Sequence, residues 1–402
     1  MHHPSDFVIR SIVLVETEIL RTIAEAQRDS WKRIWHELHR CPEKGNAEIR
    51  TAKIVRGTME QMGIEVTSCA GTGLAGVLHG AGEGRCVALR AELDALPIQE
   101  KTGASFSSQN EGFMHACGHD LHMAALLAAA QMLSMTRRQW NGCVKFFFQP
   151  DEEGDGGAAR MIAEGCLERP HVDAVFGMHV LPKLPEGAAA FCFGPSFAAS
   201  DTFQIRVTGR ACHGAQPQDG IDALAAACRV VQACTAIPKS LPQGERAVVS
   251  FGMFSAGTAG NIIPGEAAMR GIIRTLGAPV RKKVRELFVK TAAEAAAENG
   301  AHAEVLLHES YPGVTNAEKS VNLAMNAARE LELPVLVLPE AMMMTEDFGY
   351  FLNERPGCFY HIGAGTDVPL HSPEFLPGEK ALENAALLHV RTVLDFLRTT
   401  TK

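Results

Sequence analysis

Hydrophobic positions recur at helical spacing from about Ile19 to His39 and again from Thr51 to Met62, which predicts two amphipathic helices early in the chain. The segments VTSCAG and GLAGVLHG that follow read as strands, as does CVALRAELDAL at 86–96. LHMAALLAAAQMLSM, 121–135, is rich in Ala and Leu on every side and predicts a buried helix, with Asp120 placed to cap its first turn. CVKFFFQP at 143–150 is a buried strand stopped by Pro150, GGAARMIAEG is a helix, and VDAVFGMHV at 172–180 is another apolar strand. Strands that are apolar on both faces and alternate with helices predict an α/β core around a largely parallel sheet.

The pattern changes near Gly194. FQIRVTG is a strand, Ile221 to Ile237 a helix, AVVSFGMFSAG and EAAMRGIIRTL are strands, Val280 to Asn299 is a helix and AEVLLHES a strand. The order βαββαβ is that of a split, ferredoxin-like unit, which can fold as an inserted domain. After YPGVTN at 311–316 the α/β pattern resumes with PVLVL, CFYHIGAG and a last helix from about Lys380 to Leu397. The expected organisation is therefore an α/β catalytic domain over 1–197, an inserted domain over 198–310 and a return to the first domain over 311–402. A length of 402 residues agrees with such a split, at on the order of 150 residues per domain.

Composition narrows the class of partner. Hydrophobic residues at 46% and charged residues at 21% are a globular balance. A formal charge of -8 argues against nucleic acid or an anionic membrane surface, because phosphate binding needs clustered Lys and Arg, so a small molecule is the expected partner. Eleven cysteines without a CxxC pair read as reduced thiols in a cytoplasmic setting. The short apolar run SIVLV at 11–15 sits between Arg10 and Glu16, which suits neither a signal peptide nor a transit peptide, and no segment reaches the roughly 18 apolar residues that span a bilayer. His2 and His3 carry no argument.

The chemistry concentrates in MHACGHDLHM at 114–123. Three readings are open: a metal site, a cysteine nucleophile at Cys117 with His115 or His119 as base, or a polar junction with a packing role. Cys-x-His puts a thiolate and an imidazole on one side of an extended chain, a donor pair suited to zinc and similar ions; on a helix the spacing fails, so such a site lies just ahead of Asp120. Further donors follow other strands. Pro150 is succeeded by Asp151, Glu152 and Glu153, so one carboxylate can bind metal while its neighbour faces a reacting water. His179 ends the strand at 172–180, where α/β sheets place ligands, and His371 lies in the loop LHSPEF.

The runs LRAELDALPIQE (89–100), MHACGHDLHMA (114–124), QPDEEGDGGA (149–158), FGMHV (176–180), TGRACHGAQP (208–217), GNIIPGEAAMRGIIRT (260–275), TEDFGYF (345–351) and LHSPEF (370–375) together resemble the dimetal aminoacylase/carboxypeptidase superfamily. The Cys-Gly-His form of the second run resembles its amidohydrolase branch, which includes hippurate hydrolases, N-acyl-amino-acid deacetylases and auxin-conjugate hydrolases. The resemblance implies that Cys117, His119, Glu153, His179 and His371 hold two divalent metal ions, zinc or manganese first, cobalt or nickel as alternatives. It implies Glu152 as the carboxylate that takes a proton from the attacking water and returns it to the leaving amine, with Asp94 supporting the centre. It further implies that the insert is a lid and dimerisation domain, that His213 helps stabilise the oxyanion, often in the partner subunit of a homodimer, and that Asn261 and Arg274 bind an N-acyl amino acid substrate. A dipeptidase or carboxypeptidase of the same fold, or a metal-binding relative without turnover, are the alternatives. Departures from the family pattern are Glu92 in Arg90-Ala91-Glu92, where aspartate is usual, and Ile272, where threonine is usual. Both bear on substrate choice. His115, His122 and His361 are read as structural or supporting groups.

Overall fold

The computed structural model describes residues 15–399, so the run at 11–14, His2 and His3 lie outside the described residues. Along the chain run α1 (Thr17–His39), α2 (Ile49–Gln61), β1 (Glu65–Ser68), β2 (Leu74–His79), β3 (Cys86–Glu92), α3 (His119–Met135), β4 (Cys143–Gln149), α4 (Ala158–Ala163), β5 (Ala174–Leu181) and β6 (Ala189–Phe191). There follow β7 (Gly194–Phe197), β8 (Ala199–Thr208), β9 (Cys212–His213), α5 (Ala223–Ala236), β10 (Ala247–Ala256), β11 (Ile262–Ile263), β12 (Glu266–Thr275), α6 (Ala278–Ala297), β13 (His302–Glu309) and β14 (Val314–Asn316). The chain closes with α7 (Glu318–Glu330), β15 (Val335–Val337), α8 (Gly349–Glu354), β16 (Gly357–Gly363) and α9 (Glu379–Arg398). Two compact units result: one holds the chain up to Phe191, Asn316–Leu338 and the chain from Phe351 on; the other holds Cys192–Thr315 and Pro339–Tyr350.

The first unit is built on an eight-stranded sheet in the order β1-β2-β4-β3-β5-β16-β6-β15. Its centre, β4-β3-β5-β16, is parallel, but β1 and β2 join it antiparallel and β6 is antiparallel to β16. The sheet is therefore mixed, which corrects the expectation of a largely parallel one. The reason is local: β1 and β2 are joined by only five residues, with Ala70 and Gly71 in the left-handed region, and so short a link closes a hairpin and cannot make a parallel crossover. Every residue of β3 and β4 is buried. Phe146, Phe147 and Phe148 are fully buried in succession, each contributing roughly 2–3 kcal/mol by leaving water. α3 is apolar on all sides because α1 and α9 pack on it as well as the sheet. A helix not singled out in the sequence, α7, shows its signal in retrospect: Val321, Ala324, Met325 and Ala328 recur at helical spacing and are buried.

The second unit carries an antiparallel sheet in the order β10-β12-β8-β13, with α5 and α6 packed against each other and against that sheet. β8 and β12 run side by side over their full length, Ala199 to Thr208 against Thr275 to Glu266. Phe203, Ile205 and Val207 alternate inward toward Phe288 and Val230 in a separate apolar core. Among the described residues no helix is long and apolar enough to cross a membrane.

Candidate metal centre

The parallel strands β3, β4 and β5 end side by side, so the residues after Glu92, after Gln149 and at the end of β5 converge. α3 adds its first residue to the same place. Gly118 adopts φ +85° and leaves Cys117 outside the helix and His119 at its start. A side chain at 118 would not fit: a β-carbon there would stand 2.6 Å from Val180 Cγ2. Glycine thus supplies both the left-handed turn and the close approach of α3 to β5.

Among the overlapping groups of donor atoms on the described residues are Cys117, His119 and His179; Cys117, Glu153 and His371; and His119, Glu152 and Glu153, with the atoms of each group within 4.8 Å of one another. Cys117 Sγ lies 3.2 Å from His179 Nε2, and His371 Nε2 lies 3.1 Å from Glu153 Oε1. The imidazole protons are fixed by carbonyl oxygens, which can only accept. His119 Nδ1 donates to the Asp94 carbonyl at 2.9 Å and His179 Nδ1 to the Val180 carbonyl at 2.7 Å, so in both neutral rings Nε2 carries the lone pair. His119 Nε2 is buried without a hydrogen-bond partner. Imidazole nitrogens with their lone pairs turned inward, a carboxylate and a buried thiol within a few ångströms fit divalent cations of intermediate softness.

The electrostatics point the same way. Burial opposes charge on His119, but the hydrogen bond to Asp94 and the charges of Glu92, Asp94 and Glu153 overcome it and raise its pKa to about 10. The carboxylates thus demand positive charge at this spot, and a ligating cation would take the place of that proton. Burial and the neighbouring Glu153 and Glu152 push the Cys117 thiol well up, whereas burial and the nearby His122 hold His179 well below the ordinary imidazole value. Asp94 ties the centre together: its Oδ2 accepts from the Glu153 backbone N–H at 2.9 Å, and its Oδ1 stands 3.5 Å from His119 Nδ1. His371, partly exposed, is held in the left-handed region at φ 62° with its N–H donating to the Ala116 carbonyl, a local strain at a candidate ligand.

Similarity to known proteins follows this geometry. Residues 88–395 match the peptidase family M20/M25/M40. This chain belongs to that family. It is 34% identical to an N-acetyl-L-cysteine deacetylase of Bacillus subtilis, over 88% of this chain and 85% of the relative. It is 34% identical to a hippurate hydrolase of Campylobacter jejuni, over 92% of this chain and 97% of the relative. Among solved structures, a Bacillus subtilis dinuclear metal binding peptidase of the M20 family superposes with a TM-score of 0.85 at 33% identity, covering 94% of this chain and all of that one.

The remaining expected residues each have a definite place in the fold. His213, Asn261 and Arg274 belong to the second unit. His213 pairs with Ile262 on the β9–β11 ribbon, beside the Asn261 carbonyl that accepts from Gly214 N–H at 2.7 Å. Its Nδ1 accepts from Ala215 N–H at 3.1 Å, which leaves Nε2 as the free edge of an exposed ring. Arg274, half-buried on β12, donates to Ser200 Oγ at 2.7 Å and makes no ion pair among the described residues. Asp120 is not a helix cap: it lies inside the first turn of α3, where its Oδ2 accepts from Trp35 Nε1 at 2.8 Å and faces His39 Nδ1 at 2.6 Å. Capping needs a side chain just outside the helix, and Gly118 occupies that position. Glu92 is fully buried between Arg90 and His122, 2.7 Å from His122 Nδ1, while His122 Nε2 accepts from the Val180 N–H at 3.0 Å. His122 therefore links Glu92 to the strand bearing His179. Its signal in the sequence is the three-residue spacing from His119, which puts both rings on one side of a helix.

Proposed function

We propose that this chain is a metal-dependent amidohydrolase that splits N-acyl amino acids into a carboxylic acid and a free amino acid. The observation that carries the reading is the convergence of Cys117, His119, Glu153, His179 and His371, with Cys117, His119 and His179 buried, His119 Nε2 bare and His179 Nε2 turned to the Cys117 sulfur. Those five side chains would hold two divalent ions, zinc or manganese by donor type, with cobalt or nickel as alternatives. When bound, the ions supply positive charge that acidifies water and polarises an amide carbonyl. Support for the substrate class comes from relatives at 34% identity whose names specify N-acetyl-L-cysteine and hippurate.

Glu152 is assigned the proton transfer. It is nearly buried, beside Glu153 and within 4.0 Å of His119 Nε2, on a loop freed from strand geometry by Pro150. There it would accept a proton from the attacking water and release it to the amine nitrogen as the amide bond breaks. Asp94 would orient His119 and the Glu153 loop. On the second unit, whose β10-β12-β8-β13 order supports a ferredoxin-like insert, Arg274 would pair with the substrate carboxylate and Asn261 would position the acyl amide. His213, with its free Nε2 edge, would donate to the developing oxyanion, in a homodimer whose lid domains form the contact. The same reading makes residues 198–310 the lid and dimerisation domain.

The deciding experiment measures amine release by metal-reconstituted protein from N-acetyl and N-benzoyl amino acids against a panel of dipeptides. Cleavage of the acyl substrates, lost on chelation and regained with metal, supports the proposal. Preference for dipeptides favours a dipeptidase or carboxypeptidase, and full activity after exhaustive chelation refutes the metal-dependent mechanism.

A further inference from the structure

Four of the eleven cysteines lie in two pairs on the first unit, apart from Cys117. Cys86 and Cys143 are direct neighbours across the parallel strands β3 and β4. Cys69, in the link between β1 and β2, and Cys166, just beyond α4, meet at the Met161 carbonyl, which accepts from the Cys69 thiol at 3.7 Å and from the Cys166 N–H at 3.1 Å. Lys145 sits among all four. Its ammonium group donates to the carbonyl oxygens of Cys166 at 2.8 Å, Glu168 at 2.8 Å and Pro170 at 3.1 Å, one acceptor for each of its three protons. Its charge acts on every one of the four thiols.

We propose that Cys86 with Cys143, and Cys69 with Cys166, form a two-dithiol redox site that hydroperoxides oxidise reversibly to two disulfides. Facing residues on adjacent strands are about 4.8 Å apart, within the Cα separation that a disulfide spans. Among the described residues neither pair has a third ligand atom close enough to form a metal-binding group, so the sulfurs are arranged for each other and not for an ion. The thiols are almost but not wholly covered, and Cys86 and Cys143 line an open depression of about 650 Å³ shared with Gly82, Gly84 and Gly142. Cys143 stands two residues from Lys145 on β4, on the same face of the strand, and serves as the attacking sulfur, with Cys86 resolving.

The step balances with a hydroperoxide as the oxidant. The Cys143 thiolate attacks the terminal peroxide oxygen, the O–O bond breaks, the alcohol or water leaves with a proton, and a sulfenic acid remains. The Cys86 sulfur then displaces the sulfenic hydroxyl as water, forming the S–S bond; the two sulfurs have lost two electrons and the peroxide has gained them. Cys69 and Cys166 react likewise. Neither bridge consumes a proposed metal ligand, and the Cys86–Cys143 bridge closes at the ends of β3 and β4 opposite to the candidate metal centre.

The test treats the reduced, metal-loaded full chain with hydrogen peroxide, alkylates the remaining thiols and maps peptides by mass spectrometry. The expected result is a loss of four of eleven alkylatable thiols, in two cross-linked peptides joining 86 to 143 and 69 to 166, reversed by dithiothreitol. In Cys86→Ser the bridge to Cys143 is lost, a sulfenic acid at Cys143 is trapped by dimedone, and the bridge between 69 and 166 still forms. Full alkylation of these four thiols after peroxide, or bridges to other partners, overturns the proposal. The mapping of the unmodified chain decides the matter even where the variant fails to fold.

Discussion

Cys117 Sγ and His179 Nε2 stand 3.2 Å apart, the sulfur just ahead of α3 and the ring at the end of β5. With His179 Nδ1 donating to a carbonyl, the nitrogen facing the sulfur carries a lone pair, and under the proposed reading both atoms would be donors to a cation. Cys117→Ala and His179→Gln should each lower metal affinity by on the order of 100-fold or more, since even residues that only orient ligands are worth about 10–100-fold. Metal content by elemental analysis and competition with a chromogenic chelator measure it. Undiminished metal in both variants would remove this pair from the centre.

The role of Glu152 separates binding from turnover. Glu152→Gln keeps the shape of the side chain and removes its basicity, so kcat for N-acyl amino acids should fall by about 10²–10⁴-fold with metal content and melting temperature unchanged. A variant that loses metal in proportion to activity would make Glu152 a ligand and leave the proton transfer to another group.

Arg274 is half-buried, and burial lowers its pKa, yet its closest partner is the Ser200 hydroxyl and not a carboxylate. A guanidinium partly desolvated without an ion pair is suited to an incoming anion. Arg274→Ala should raise KM for N-acyl amino acids by on the order of 10- to 100-fold, the worth of a charge-assisted bond of roughly 1.5–3 kcal/mol, with a much smaller effect on an N-acyl amine that lacks the carboxylate. Equal losses on both substrates would show that Arg274 shapes the strand and does not read the carboxylate.

How much of this could be seen in the sequence depended on whether the signal was local. β4 and the carboxylates after Pro150 were legible because an apolar run, a proline and a cluster of acids lie within eleven residues, and α3 was legible from its composition. The direction of the flanking hairpin is not legible in the strand residues themselves, because it depends on the short link and its left-handed turn at Ala70 and Gly71. The place of Asp120 inside the helix is not legible locally, because the cap position is decided by which residue leaves the helix, here Gly118, where a β-carbon would meet Val180. The support given by His122 depends on Glu92 and Val180, respectively thirty and fifty-eight residues away in the chain, and no local pattern encodes such a meeting.

That contact at Gly118 can be tested directly. Gly118→Ala places a methyl group 2.6 Å from Val180 Cγ2 at a backbone φ of +85°. Strain and overpacking together should cost about 1–3 kcal/mol and displace Cys117 from His119, weakening metal binding as well as lowering the unfolding midpoint. Adding Val180→Ala should relieve the steric part and leave the backbone part. If the double variant is no better than the sum of its single losses, the contact is not what constrains position 118.

The buried triad around His39 sets a pH dependence on stability. His39 Nδ1 faces Asp120 Oδ2 at 2.6 Å and Nε2 faces Glu100 Oε1 at 3.2 Å. Burial opposes the imidazolium, but the charge of Asp120 and the hydrogen bonds to Asp120 and Glu100 raise the His39 pKa from 6.5 to about 9. The folded state thus binds a proton that the unfolded chain releases. Its contribution is complete below pH 6.5 and is lost as pH rises through about 9. The same triad holds Asp120 and Glu100 down to about 2, so the carboxylate share is complete above their ordinary values and disappears only as pH falls through about 2. Urea unfolding of the protein and of His39→Gln, in the same metal state, should therefore differ most near pH 6.5 and converge toward pH 9, with a change on the order of 3 kcal/mol across that window. Parallel curves over this range would mean that His39 is neutral in the folded chain and that Asp120 is satisfied by Trp35 alone.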